Sequence, residues 1–234
     1  MKSYLTKLIA LLGLSLLYTS AHAQDPFNDE GFGLTSESSN QAKATIISSA
    51  DSAAPGSSFD IAIEVDHPAG WHSYYKNAGG PSLPLKFKLT LPDGYKSSEL
   101  LWPVPHVKWV YDQQNYMYEA KAYFITTITV PASAKEGDKI TISADVTSQL
   151  CNADGCLPPE TTTASKTLPI ASSIAINQAA TDTITTAKKH LPTEIKTWSY
   201  TVKQEGTNLL LNIITEDDLS GVKKPIFITD EAIT

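Results

Sequence analysis

Cys151 and Cys156 are the only two thiols in a chain of 234 residues. They stand in the segment Ser148-Gln149-Leu150-Cys151-Asn152-Ala153-Asp154-Gly155-Cys156-Leu157-Pro158-Pro159-Glu160-Thr161. Asp154-Gly155 supplies a tight turn between the sulfurs, and Pro158-Pro159 stiffens the exit. Such a loop can bring two Cα atoms within the ~7 Å that a disulfide requires. Three kinds of chemistry use a pair like this. As a structural cross-link, a loop of about six residues stabilises by roughly 2 kcal/mol in the chain-entropy model, and a bridge between distant strands by about twice that. As an exchange site, small polar residues at a loop tip keep sulfur open to in-line attack by a visiting thiolate. As metal ligands, two thiolates need further donors, and no close Cys or His completes a zinc set. The spacing alone leaves the structural and redox readings open. It predicts no metal ligands and no cofactor.

The compartment must allow disulfides, and the N-terminus speaks to that. Lys2 and Lys7 precede and flank the apolar run Leu8 to Leu17, and Ala21-His22-Ala23 ends the segment in small residues. This pattern predicts a cleaved signal peptide over residues 1–23, too short to span a bilayer. Export to an oxidising compartment permits a disulfide. Removing Lys2 and Lys7 takes the formal charge from −7 to −9. Every basic residue is a lysine. Without clustered cations or arginine forks, nucleic-acid binding is a poor reading.

The elements that must position the pair follow from periodicity. Residues 24–42 are polar and predict a flexible leader. Beyond them, Phe59, Ile61, Ile63 and Val65 alternate with other residues, as do Leu85, Phe87, Leu89 and Leu91, then Phe124, Ile128 and Val130, then Ile140, Ile142, Ala144 and Val146. Period two marks half-buried antiparallel strands. Pro55-Gly56, Pro92-Asp93-Gly94 and Glu136-Gly137-Asp138 punctuate them. No strong helical pattern lies between Ala44 and Ile170. The prediction is an all-β, immunoglobulin-like antiparallel β-sandwich over residues 43–170. A short helix or linker is predicted over 171–191, its helical pattern running from Ala175 to His190. Residues 192–234 predict the incomplete start of a second β domain. It would hold a hairpin turning at Glu205-Gly206-Thr207-Asn208 and a further strand at Pro225-Ile226-Phe227-Ile228.

At the cysteine loop the sequence resembles the N-terminal periplasmic domain of the thiol:disulfide interchange protein DsbD. Cys156-Leu157-Pro158-Pro159-Glu160-Thr161 matches a family pattern of Cys, an aromatic or aliphatic residue and Pro-Pro-Glu-Thr. Gly70-Trp71-His72-Ser73-Tyr74-Tyr75-Lys76-Asn77, Leu91-Pro92-Asp93-Gly94-Tyr95 and Tyr116-Met117-Tyr118-Glu119 resemble further family segments, in order, across roughly Ala44 to Ile170. From Trp198 onward the chain is similar to the longer, copper-tolerance-associated members. The resemblance implies an immunoglobulin-like redox module in the periplasm with protein-disulfide reductase activity and links to cytochrome c assembly. It implies thioredoxin-fold redox partners, with Cys156 forming the mixed disulfide and Cys151 resolving it. The family's full chains continue into a membrane-embedded electron-transfer domain and a thioredoxin-like domain. This chain holds neither and reads as a fragment or a stand-alone carrier. The resemblance also implies a cap over the cysteines, which falls on Tyr111, Asp112, Tyr116, Met117 and Tyr118. Asp154, Gly155, Pro158 and Pro159 are expected to support the loop.

Two other readings stand beside the carrier. One is an immunoglobulin-like binding or scaffold module with an inert disulfide. The other is a metal-handling protein for copper tolerance, which His67, His72, His106 and Met117 would serve. Their spacing shows no ligand pattern, and the histidines read as scattered surface residues. Trp71, Tyr74, Tyr75, Trp102 and Trp109 read as core or rim aromatics.

Overall fold

The computed structural model describes residues 41–110, 112–193 and 198–216. The predicted signal peptide, most of the predicted flexible leader, Tyr111 and the predicted strand at Pro225-Ile226-Phe227-Ile228 lie outside the described residues. The elements in chain order are β1 (Lys43–Ser48), β2 (Ala50–Ser52), β3 (Ser58–Asp66), β4 (His72–Tyr74), β5 (Lys86–Thr90), β6 (Lys96–Ser97), β7 (His106–Val110), β8 (Gln113–Glu119), β9 (Lys121–Thr129), β10 (Lys139–Ser148), β11 (Glu160–Pro169), β12 (Ala175–Ile176), α1 (Gln178–Lys188), β13 (Ser199–Glu205) and β14 (Asn208–Ile214). Among the described residues no helix lies between Ala44 and Ile170, as the periodicity predicts.

Two antiparallel sheets, ordered β1-β3-β9-β6 and β11-β10-β5, form an immunoglobulin-like sandwich. Their inner faces are the alternating residues of the sequence. Phe59, Ile61, Ile63, Val65, Phe124 and Ile128 from one sheet share a core with Ile140, Ile142, Ala144, Val146 and Leu168 from the other. Phe87, Trp102, Tyr118 and Phe124 add edge-on and tilted ring pairs to it, with centroids 4.5–5.3 Å apart. Ala62 and Ile125 break the alternation, because both are buried despite their outward parity. Helix α1 explains them: its Ile184 and Ala187 cover these two residues on the outer face of the sheet. The Asn177 side chain caps the helix by accepting from the Ala180 amide at 2.9 Å. At the other end Lys188 donates to Asp60 at 2.6 Å. The helix sits within the predicted span.

A third sheet, β4-β8-β7, carries the region that reaches the cysteines. Its strand β8 turns into β9 through Ala120, whose φ of 52° is left-handed. His67 secures that turn, donating its backbone amide to the Ala120 carbonyl at 2.9 Å. Strands β13 and β14 form a regular hairpin from Ser199↔Ile214 to Glu205↔Asn208, turning at the predicted residues. Of the predicted flexible leader only its last two residues are described; Ala42 is buried and its carbonyl accepts from the Thr162 hydroxyl at 2.9 Å.

Candidate functional site

Strand β10 ends at Ser148, and the chain then passes Leu150, which is buried in the sandwich core. That anchor sets the position of Cys151. The Leu157 amide donates to the Leu150 carbonyl at 2.8 Å and closes the loop behind it. Within the loop, Asn152 acts as a local template. Its side-chain oxygen accepts from the amides of Asp154 (2.9 Å) and Gly155 (3.1 Å), and its own amide donates to the Gly155 carbonyl at 2.9 Å. An Asn side chain that mimics a backbone turn in this way is an Asx-turn. The result brings Cys151 and Cys156 into an antiparallel bridge with Cα atoms 4.0 Å apart, joined as a disulfide. Of the predicted loop supports, Asp154 and Gly155 act through their amides, while Pro158 and Pro159 are exposed and lead into β11.

The two sulfurs have different surroundings. Cys151 is 2% exposed and packs with Tyr74, Ala78 and Met117. Cys156 lies at the surface. Cys156 is therefore the more accessible sulfur.

The residues predicted as a cap divide according to the pleat of β8. Met117 lies against Cys151. Tyr116 and Tyr118 point the other way, into the sandwich core, and do not shield the cysteines. Successive residues on a strand face opposite sides, so a run of bulky side chains cannot all cover one site. The Tyr118 hydroxyl donates to the Pro103 carbonyl at 2.8 Å, and burial pushes its ionisation far above the usual phenol range. Asp112 is exposed near the β7–β8 turn, away from the buried cluster. The strand is held in place from behind by the segment after β4. The Tyr75 amide donates to the Tyr116 carbonyl, and the Tyr116 amide to the Ala78 carbonyl, at 2.9 and 3.0 Å. Gly79 must be glycine: its φ is 78°, and an added Cβ would lie 2.2 Å from the Gln114 carbonyl oxygen.

Strand β4 connects strand β8 to the cysteine loop. His72 exchanges both backbone hydrogen bonds with Cys151, each 3.0 Å long. On its other side His72 pairs with Glu119 of β8. Its Nε2 lies 3.1 Å from the Tyr74 hydroxyl. Burial holds the imidazole below the ordinary histidine range, and Glu119 offsets this in part. Glu119 in turn accepts from Lys108, which holds its carboxyl below the usual range. The neighbouring His67 is also buried, contrary to the surface reading of the sequence. Its Nδ1 lies 2.6 Å from the Ala120 carbonyl and its Nε2 2.7 Å from the Ser73 hydroxyl. A carbonyl only accepts, so Nδ1 carries the hydrogen and Ser73 donates to Nε2. His67 is thus a neutral structural bracket, and burial lowers its pKa. Of the predicted aromatics, Tyr75 and Trp102 meet edge-on at 5.7 Å, while Trp109 is exposed on β7. Among the described residues no group of three or more His, Cys, Asp or Glu side chains could hold a metal ion.

The sequence reading passed over His72 and Glu119 as members of this site. A signal was present in the parity: His72 stands two residues before Tyr74, and Glu119 two after Met117, so each shares a face with a residue that touches Cys151. Knowing which strands pair was the missing step.

The family model for the N-terminal region of the thiol:disulfide interchange protein DsbD matches residues 43–168, more than half of the chain. Among curated proteins, none matches. Among solved structures, the N-terminal periplasmic domain of ScsB from Proteus mirabilis is similar with a TM-score of 0.50 at 16% identity. That likeness covers 75% of this chain and 63% of the ScsB chain, and at this identity it shows the fold. This chain therefore spans less than two thirds of that structure. The reduced N-terminal domain of DsbD from Neisseria meningitidis gives a TM-score of 0.28 at 15% identity, covering 54% of this chain and 88% of that one. No helix among the described residues is long and apolar enough to cross a membrane. Residues 43–168 carry a loop-borne cysteine pair on an immunoglobulin-like sandwich, and the chain belongs to the family of the N-terminal domain of the thiol:disulfide interchange protein DsbD, whose chemistry is thiol–disulfide exchange.

Proposed function

We propose that this chain is a periplasmic thiol–disulfide exchange module that accepts electrons from a thioredoxin-like domain and passes them to periplasmic disulfide partners. The observation that carries the reading is the unequal exposure of the two sulfurs, with Cys156 at the surface and Cys151 buried. In the reducing half, a partner thiolate attacks Cys156 Sγ in line with the disulfide. The S–S bond breaks, Cys151 leaves with the electron pair, and the partner is held through Cys156. A second partner thiol then resolves the mixed disulfide and leaves both cysteines reduced. In the other half, the Cys156 thiolate attacks a partner disulfide. Cys151 then displaces the partner by attacking Cys156 Sγ, which reforms the native bond and reduces the partner by two electrons. This is protein-disulfide reductase chemistry, with Cys156 as nucleophile and Cys151 as resolving thiol. The ScsB domain is described as periplasmic, which supports the same compartment and the predicted signal peptide here. A membrane-embedded electron-transfer domain would supply the thioredoxin-like donor with electrons.

The test is trapping. Cys151→Ser in the reduced protein should accumulate a mixed disulfide with an oxidised thioredoxin-fold partner, visible by non-reducing electrophoresis. Cys156→Ser should accumulate none. If neither single-cysteine variant ever captures a partner, the carrier reading fails. A reduction potential below about −300 mV would instead mark an inert structural bond.

A further inference from the structure

The ladder beside the disulfide sets three reactive side-chain types in one row. His72 and Cys151 are a mutually hydrogen-bonded antiparallel pair. His72 and Glu119 are the directly opposed pair on the other side. Because the amide and carbonyl of His72 are both committed to Cys151, its pairing with Glu119 is of the non-hydrogen-bonded kind, in which side chains come closest. Opposed residues on a ladder share a face. Sulfur, imidazole and carboxylate thus follow one another across the His72–Cys151 bridge and the β4–β8 ladder, and the same face carries Tyr74 and Met117. An imidazole on the same face as a thiol is the kind of group that moves a proton on and off sulfur.

We propose that His72 is the acid–base partner of Cys151, positioned by Glu119. The inference rests on the exchange reading of the cysteine pair and names the group that handles its proton. Cys151 is the sulfur with the greater need. When the disulfide opens, Cys151 receives the electron pair as a thiolate among Tyr74, Ala78 and Met117. A buried anion in apolar surroundings is unfavourable, so the thiol form is favoured there. Protonated His72 gives its proton to the departing Cys151 sulfur, which becomes a neutral thiol. In the reverse direction neutral His72 removes that proton. The Cys151 thiolate then bonds to Cys156 Sγ, and the partner sulfur leaves with the electron pair of the broken mixed disulfide.

Several groups around His72 set its charge. Tyr74 meets its Nε2 from the same strand, Glu119 faces it from β8, and Lys108 of β7 binds Glu119. His67 and His106 also act on this charge cluster. Burial favours the neutral, proton-accepting ring at neutral pH. His67 cannot substitute, since both its ring nitrogens are engaged with Ala120 and Ser73.

Ellman's reagent separates the steps. The reduced protein should release one thionitrobenzoate as Cys156 attacks and a second, concentration-independent one as Cys151 resolves. The rate of the second release should rise with pH through one inflection below about 6.5 and then level off. His72→Gln should slow it about tenfold or more at neutral pH and replace the plateau with a tenfold rise per pH unit, up to the thiol's own range. Glu119→Gln should slow it by a smaller factor. If wild type gives no intramolecular second release, the exchange reading itself fails. If wild type gives both releases and His72→Gln keeps the same pH profile, the role of His72 is overturned and the exchange reading stands. Wild-type protein provides a check free of folding artefacts: the His72 ring resonance should titrate differently in the oxidised and reduced forms. Identical titrations would overturn the proposal.

Discussion

On one face of strand β8, Tyr116 and Tyr118 reach into the sandwich core, where Tyr118 meets Phe124 edge-on with centroids 5.3 Å apart. On the other face, Met117 lies against Cys151 and Glu119 stands opposite His72. One residue of spacing separates a core anchor from the face that packs against the disulfide. The difference shows how a site at the rim of a β-sandwich can be held firmly. Glu119 and Met117 stand on β8, whose reverse face is locked by aromatic packing, and the cysteines lie in the stretch 149–159 between β10 and β11.

Substitutions can break this contrast. Phe124→Ala should have the largest effect, a loss of about 3–5 kcal/mol in urea unfolding, because it leaves a cavity among Phe87, Trp102 and Tyr118. Exchange by the protein that remains folded should not change. Met117→Ala should cost about 2–3 kcal/mol. It should also speed alkylation of the Cys151 thiol in a Cys156→Ser background about tenfold. Equal destabilisation without faster alkylation would mean that both faces of β8 are simply core. Tyr118→Phe should cost about 1 kcal/mol, the value of the hydroxyl bond to Pro103, and leave alkylation untouched.

Last in the order comes pH. Burial lowers the pKa of His67, so the folded state resists the proton that the unfolded chain accepts. Above about pH 6.5 both states are neutral there and the contribution is complete. As pH falls below that value the unfolded state binds the proton first, and stability declines until the folded-state pKa is passed. The midpoint of thermal unfolding should fall on acidification, and His67→Gln should flatten that slope. A slope of the same size in His67→Gln would assign the acid sensitivity to other groups.

Much of the sandwich was legible because its core residues obey a period of two. Phe59 to Val65 and Ile140 to Val146 are buried as the alternation requires. Ala62 and Ile125 were not legible, since a helix more than fifty residues away covers them. The cysteine loop was readable from Asp154-Gly155 and the two sulfurs, which lie close in the chain. The row from Cys151 through His72 to Glu119 was hidden for the opposite reason. Its members are far apart in sequence, and β4 is three residues long, too short for any periodic signal. The cap shows the limit from another side: the residue types at 116–118 were informative, but the pleat allots adjacent side chains to opposite faces, and only Met117 reaches the sulfur.

The terminal hairpin has a consequence for the protein as a colloid. Val202, Leu209, Leu210, Leu211 and Ile214 are exposed, and they include neighbours on β14 that lie on opposite faces of the ribbon. Among the described residues no third strand pairs with this ribbon, and a two-stranded ribbon greasy on both sides can recruit further strands. Self-association of the protein at high concentration is therefore expected to start at this ribbon, and replacing Leu209 and Leu211 with Lys should raise the concentration at which light scattering appears.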